Sequence, residues 1–249
     1  MALTVAEAAG TYERALRGVV PAGPGVCRVC HTFIDEAYDT CYRCASDRQH
    51  LDAVVPITYS EQHGQIHTAL RGYKDGPRAA RFYVMPRLAA ILWLFLEQHE
   101  TCVAAACRVD AFDLVTTVPS STREADERHG NLRWIVGEGS LVTADRFERT
   151  LTPAPGASAG RGVDAGRYRA RRSLAGAAVL LVDDTWTSGG HAQSAAGALK
   201  AAGAAAVGCV VIGRHVNPAY APDGRTCGQR LAALPRAFDW GVCCGAGCA

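Results

Sequence analysis

Residues 179–191 read Val-Leu-Leu-Val-Asp-Asp-Thr-Trp-Thr-Ser-Gly-Gly-His, and an Ala-rich run follows from Ala192 to Ala206. Four consecutive apolar residues without alternation predict a central strand covered on both faces, as in a parallel sheet, and the Ala/Leu/Lys run predicts a helix. A loop in that position lies at the carboxyl end of a strand and the amino end of a helix. Unpaired backbone N–H groups and the helix dipole favour an anion there. Gly189 and Gly190 allow the backbone to approach it, while Thr185, Thr187 and Ser188 offer hydroxyl donors. The stretch therefore reads as a phosphate cradle inside an α/β fold.

Asp183 and Asp184 stand just ahead of the cradle, and carboxylates repel phosphate unless they engage another part of the ligand. Sugar hydroxyls suit them, since an ionised carboxylate accepts two in bidentate fashion. A ribose diol carrying a 5′-phosphate satisfies both halves; a generic strand-to-helix turn is the other reading. The Lys of G-x-x-x-x-G-K-[ST] is missing, which argues against a triphosphate P-loop. With its apolar strand, acidic pair and Thr/Ser/Gly loop, the stretch resembles the thirteen-residue signature of type I phosphoribosyltransferases. That resemblance implies that Asp183 and Asp184 hold the ribose hydroxyls of phosphoribosyl pyrophosphate (PRPP). It also implies that Thr185, Trp186, Thr187, Ser188, Gly189, Gly190 and His191 form the loop around its 5′-phosphate. His191 departs from the family, where Thr or Ser is usual. An imidazole beside a phosphate dianion is expected to favour its protonated form, or its bulk crowds the cradle.

The 249 residues allow one α/β domain and a small appendage, and 49% apolar residues suffice for a core. A formal charge of +2 argues against a nucleic-acid-coating protein. The first twenty residues lack the apolar centre of a signal peptide, and the apolar run around Leu88–Leu96 is short for a bilayer. A cytoplasmic protein without membrane association is expected. Eleven cysteines in a reducing compartment then suggest metal or buried thiols over disulfides.

Cys27-x2-Cys30 and Cys41-x2-Cys44 are separated by ten residues in a Gly/Pro-bounded segment with little apolar content. Two such knuckles can set four thiolates around one Zn²⁺, which supplies folding energy that so small a segment cannot obtain by burial. A closed shell implies a structural ion. Cys30-His31 also completes C-x-x-C-H, but haem attachment would leave the second pair idle.

Pro86 is placed to begin a helix whose Leu88, Ile91, Leu92, Phe95 and Leu96 share a face, and Lys74-Asp75-Gly76 reads as a turn. The cysteine knuckle, the stretch with Tyr59, His67, Tyr73 and Lys74, and then this helix resemble the ComF family of competence-associated proteins. In that family a zinc segment precedes a phosphoribosyltransferase domain. Asp113–Pro119 reads as the next buried strand, ended by proline. Ser120, Ser121, Arg123 and Arg128 follow it, and hydroxyls with arginines at a strand's carboxyl end suit the departing pyrophosphate. The family pattern has Arg-Gly-Phe-Asn where this chain has Arg128-His129-Gly130-Asn131, and a solvated charged loop is the alternative.

Residues 151–174 turn to Pro, Gly, Ala, Ser and Arg, which predicts a mobile segment without a core. Type I phosphoribosyltransferases carry a closing loop in this place, which makes Arg167, Arg169, Arg171 and Arg172 candidates for closure, or else solubilising charges. Val207–Val211 reads as a further strand with Arg214-His215 at its end. Cys227, Cys243, Cys244 and Cys248 in the terminal part are either a second metal set or free thiols.

These readings combine into a parallel sheet flanked by helices, of the type I phosphoribosyltransferase kind, with a small N-terminal zinc-binding segment. Residues 1–50 hold an N-terminal helix and the zinc segment, 51–216 the phosphoribosyltransferase-like domain and 217–249 a Cys-containing hood or tail. The resemblance implies transfer of phosphoribosyl from PRPP, with Mg²⁺, to a nitrogen acceptor that the sequence does not identify. Asp183, Asp184, Arg123 and Arg128 are then catalytic. The rival expectation is a non-catalytic module that binds PRPP or a nucleoside monophosphate, or an accessory to DNA uptake with competence or DNA-processing partners.

Overall fold

A computed structural model describes residues 3–120, 122–128, 130–157, 160–245 and 248. The elements run α1 (Val5–Gly10), α2 (Tyr42–Ser46), β1 (Ala53–Glu61), α3 (Gln65–Asp75), α4 (Arg78–Ala106), β2 (Leu114–Thr117), α5 (Arg123–Arg128), α6 (Asn131–Gly137) and α7 (Leu141–Ala144). They continue through β3 (Leu151–Pro153), β4 (Tyr168–Ala170), β5 (Ala178–Trp186), α8 (Gly190–Ala201), β6 (Ala206–Val216) and α9 (Cys227–Ala232). Four strands form one parallel sheet in the order β1-β6-β5-β2, and β3 and β4 pair antiparallel beside it.

The apolar runs explain why this sheet is covered on both sides. Successive side chains of a strand point to opposite faces. Leu180, Val182, Val210 and Ile212 enter the core beneath α4, whereas Val179, Leu181, Val207, Cys209 and Val211 enter the core beneath α8. Each Val or Leu so buried contributes roughly 1.5–3 kcal/mol. The segment before β1 joins both layers: Leu16, Val26 and Phe33 go to the first core, while Cys27, Cys30, Ile34 and Cys44 go to the second.

Four local expectations are corrected. Pro86 lies inside α4 instead of starting it. The carbonyl of Phe82, which Pro86 cannot bond, belongs to an exposed residue and can turn to water, and Arg87 bonds the carbonyl of Tyr83 at 2.5 Å. The resulting 29-residue helix is long and apolar enough to cross a bilayer, yet Leu88, Ile91, Leu92, Phe95, Leu96 and Val103 are buried in the α/β core. Next, β5 and β6 outrun their apolar centres. The pairs Asp183↔Val211, Thr185↔Gly213 and Trp186↔Arg214 keep Asp183–Trp186 in the sheet, so the turn is confined to 187–189. Lys74 and Asp75 close α3 instead of forming a turn.

Residues 151–174 are not a coreless segment among those described. Leu151, Tyr168 and Leu174 are buried with α8, and the Arg167 guanidinium, 1% exposed, bonds the carbonyls of Gly160 (2.6 Å) and Gly162 (3.0 Å). Arg167 is thus a buried bracket. Arg172 is exposed and pairs with Glu148 at 2.6 Å, and Arg169 and Arg171 face solvent.

Candidate functional site

A cavity of about 450 Å³ opens at the carboxyl ends of β2 and β5, the place where parallel α/β sheets collect ligands. Asp183, Asp184, Thr185, Thr187, Ser188, Gly189, Gly190, His191 and Ser120 all line it. Ser121 and His129 lie outside the described residues. Trp186 is 2% exposed and packs beneath the loop.

The loop conformation demands its glycines. Gly189 has φ +82°, a left-handed value that a side chain disfavours, and a Cβ there would stand 2.1 Å from the Trp186 ring. A Cβ on Gly190 would stand 2.1 Å from the carbonyl oxygen of Arg161, in the segment that passes over the cradle. Behind them α8 runs for 12 residues with its amino end toward the cavity, so its free N–H groups and dipole favour an anion. Ser188 donates its hydroxyl to the Arg161 carbonyl at 2.8 Å, a bond that an incoming phosphate must share or displace.

The acidic pair has a partner that sequence reasoning missed. Lys74 Nζ, from the end of α3, lies 2.6 Å from Asp184 Oδ2, a carboxylate 3% exposed. Burial alone would lower the Lys74 pKa, but Asp184 and Asp183 outweigh it and raise it. Burial, then the like charge of Asp184, push the Asp183 carboxyl up to about 8, against the pull of Lys74. Asp184 carries the ammonium and Asp183 stays protonated beside it, a set that takes hydroxyl donors and that further positive charge would ionise fully. The signal in sequence was only the Tyr73-Lys74 pair, which a turn reading masked.

The protein's own groups keep His191 neutral, so the protonated form expected beside a phosphate dianion needs the charge of that dianion. Burial, with Arg167 and Lys74, pushes its pKa down to about 4. Tyr168 donates to the Pro119 carbonyl at 3.0 Å, and the Tyr168 oxygen stands 2.8 Å from His191 Nδ1. A carbonyl can only accept, so the hydroxyl proton goes to Pro119 and Nδ1–H donates to the Tyr168 oxygen. Nε2 then holds a lone pair, and only a second proton turns it into a phosphate donor.

On the opposite wall, the arginines chosen from sequence are not those that face the cavity. Arg123 is exposed and paired with Glu127 at 3.0 Å along one helical face, and Arg128 is exposed. Arg133 lines the cavity instead, held by Asp126 Oδ1 at 2.9 Å and by the Asp126 carbonyl at 2.7 Å. Asp126, 2% exposed, also accepts from Arg149 at 2.5 Å and from the Ser120 N–H at 3.1 Å, so it fixes the loop after β2. Asn131 bonds the Tyr73 carbonyl at 2.6 Å and ties this wall to α3.

The sulfurs of Cys27, Cys30, Cys41 and Cys44 lie within 4.8 Å of one another, with Cys30 and Cys41 at 3.8 Å, and can hold a metal ion such as zinc. Arg214 joins that cluster to the cavity's strand. Its buried guanidinium bonds the Cys30 carbonyl (2.8 Å), the Cys30 sulfur (3.5 Å) and the Trp186 carbonyl (3.0 Å). Arg214, at the end of β6, therefore serves the cysteine cluster.

No protein-family model matches the chain, and no curated protein matches its sequence.

Proposed function

We propose that the chain is a phosphoribosyltransferase-like protein, related to the ComF family, which binds PRPP in the cavity at the ends of β2 and β5. The observation that carries this reading is one cavity lined by both an acidic pair on β5 and a glycine loop opening α8. Asp183 and Asp184 accept the ribose hydroxyls, and the α8 N–H groups with Thr187 and Ser188 hold the 5′-phosphate. Arg133 and the backbone around Ser120 face the pyrophosphate, a role that moves from Arg123 and Arg128 to Arg133, which lines the cavity together with Arg161. Lys74, which balances the acidic pair in the free protein, exchanges partners when the ligand brings its own cation.

Mg²⁺ carried with PRPP supplies neutralising charge to the departing pyrophosphate. The chain's own residues position the ribose and stabilise charge, with no covalent nucleophile. Cys27, Cys30, Cys41 and Cys44 bind a structural Zn²⁺, whose thiolate charge is offset by Arg214. Incubation with PRPP, Mg²⁺ and nitrogen bases tests the reaction: release of pyrophosphate that depends on one added base is expected.

A second reading, a binding-only module for PRPP or a nucleoside monophosphate, is favoured by Arg133 being already committed to Asp126. Saturable binding without pyrophosphate release from any base would select it. Salt-dependent binding of single-stranded DNA would point to the accessory role instead.

A further inference from the structure

We propose that His99, Cys102, Cys243 and Cys248 form a second zinc site, a closed four-ligand centre that clamps the C-terminal tail to α4. Cys227, Cys243, Cys244 and Cys248, grouped by sequence alone, do not act together. Cys227 is buried at the start of α9, and the Cys244 sulfur faces the Pro56 carbonyl at 3.7 Å. Cys243 and Cys248 instead meet two residues of α4 about 140 positions away in the chain.

The ligand atoms of the four residues lie within 4.8 Å of one another. Tetrahedral zinc with ordinary Zn–S and Zn–N bonds has N···S edges of about 3.6 Å and S···S edges of about 3.8 Å. His99 Nδ1 stands 3.8 Å from the Cys102 sulfur and 3.5 Å from the Cys248 sulfur. His99 and Cys102 are three residues apart on α4, so both project from one side of it.

The surroundings orient these groups as a metal requires. His99 is 3% exposed, and its Nε2 lies 2.7 Å from the Trp240 carbonyl. Since a carbonyl only accepts, Nε2 carries the proton and Nδ1 presents its lone pair to the sulfurs. The Phe95 ring packs against the imidazole at 4.9 Å between centroids. The Cys243 N–H points to the Cys248 sulfur at 3.3 Å, a contact that steadies a thiolate ligand. All four positions are taken by protein, so the ion is structural. After α9 no regular element holds the described tail, and a metal supplies folding energy where backbone pairing does not. Cys244 and Gly245, inside the ligand span, line a cavity of about 430 Å³ whose wall also includes Arg28, Val29 and His31 of the first cysteine segment. The two metal centres thus bracket one cavity.

Zinc content of the chelator-free full chain tests the proposal. About two ions per chain are expected, falling to about one in Cys248→Ser and to about one in Cys27→Ser/Cys41→Ser. X-ray absorption of the latter variant should give three sulfurs and one nitrogen around zinc. Should that variant fail to fold, cadmium-113 NMR of the wild-type chain should show two resonances, one from an all-sulfur site and one from a site with nitrogen. One zinc in the wild type, unchanged in Cys248→Ser, would overturn the site. So would a single all-sulfur resonance, or an intact mass showing Cys243 and Cys248 joined as a disulfide.

Discussion

On the β5 wall of the cavity one cation, Lys74, pairs with Asp184, while Asp183 beside it holds its proton up to about pH 8. On the facing wall one carboxylate, Asp126, holds two cations, Arg133 and Arg149. The first wall has no cation to spare and a second carboxyl that ionises only when more positive charge arrives, whereas the second wall has one cation in excess. A ligand bearing hydroxyls with a divalent cation at one end and a polyanion at the other fits both imbalances, whereas a uniformly anionic ligand fits only one. The contrast teaches that the site's polarity comes from pairing ratios and not from the number of charged residues near it.

Breaking the basic wall should have the largest effect. Asp126→Ala removes the common partner of two arginines and the acceptor of the Ser120 N–H, and is expected to cost about 3–5 kcal/mol in denaturant unfolding. Gly189→Ala comes next, at about 2–4 kcal/mol, from a left-handed residue and a Cβ driven into Trp186. Asp184→Asn should cost less, about 1 kcal/mol, because Lys74 is 44% exposed and can turn to water or to Asp183, and should weaken PRPP roughly 10- to 100-fold by calorimetry, the value of one charge-assisted hydrogen bond.

The pH dependence sharpens the acidic side. Asp183 binds its proton more tightly folded, at about 8, than unfolded, at about 3.9, so stability falls as pH rises between those values. His191, pushed to about 4 when folded, contributes in the opposite sense: its stability is complete above about 6.5 and is lost as pH falls toward 4. Of these two groups, Asp183 alone still contributes a slope above about pH 7. Asp183→Asn should flatten the melting temperature between about pH 7 and 8 and leave the unliganded variant more stable than wild type at the upper end. The smallest effect is expected for Arg123→Ala and Arg128→Ala, within about 0.5 kcal/mol in stability and with PRPP affinity unchanged.

What sequence made legible follows contiguity. Val179–His191 and Cys27–Cys44 each carry their chemistry in one short run, and the structure gathers each run into one place. Lys74, Arg133 and the His99–Cys248 cluster come from separated elements, and only the path of the chain brings them together. Composition misled in residues 151–174 because the buried side chains of Leu151, Tyr168 and Leu174, with the Arg167 guanidinium, anchor a stretch otherwise rich in Gly and Ala. Pro86 misled because a helix tolerates proline where the unbonded carbonyl belongs to an exposed residue, here Phe82.

The central claim is that the acidic pair and the α8 loop together hold a ribose 5-phosphate, and thermal unfolding with PRPP and Mg²⁺ tests it most directly. The account predicts stabilisation of roughly 2.7 kcal/mol at a hundredfold excess over the dissociation constant, lost in Asp183→Asn/Asp184→Asn. A wild-type protein unmoved by PRPP, ribose 5-phosphate and nucleoside monophosphates, or a double variant shifted as much as wild type, would contradict it.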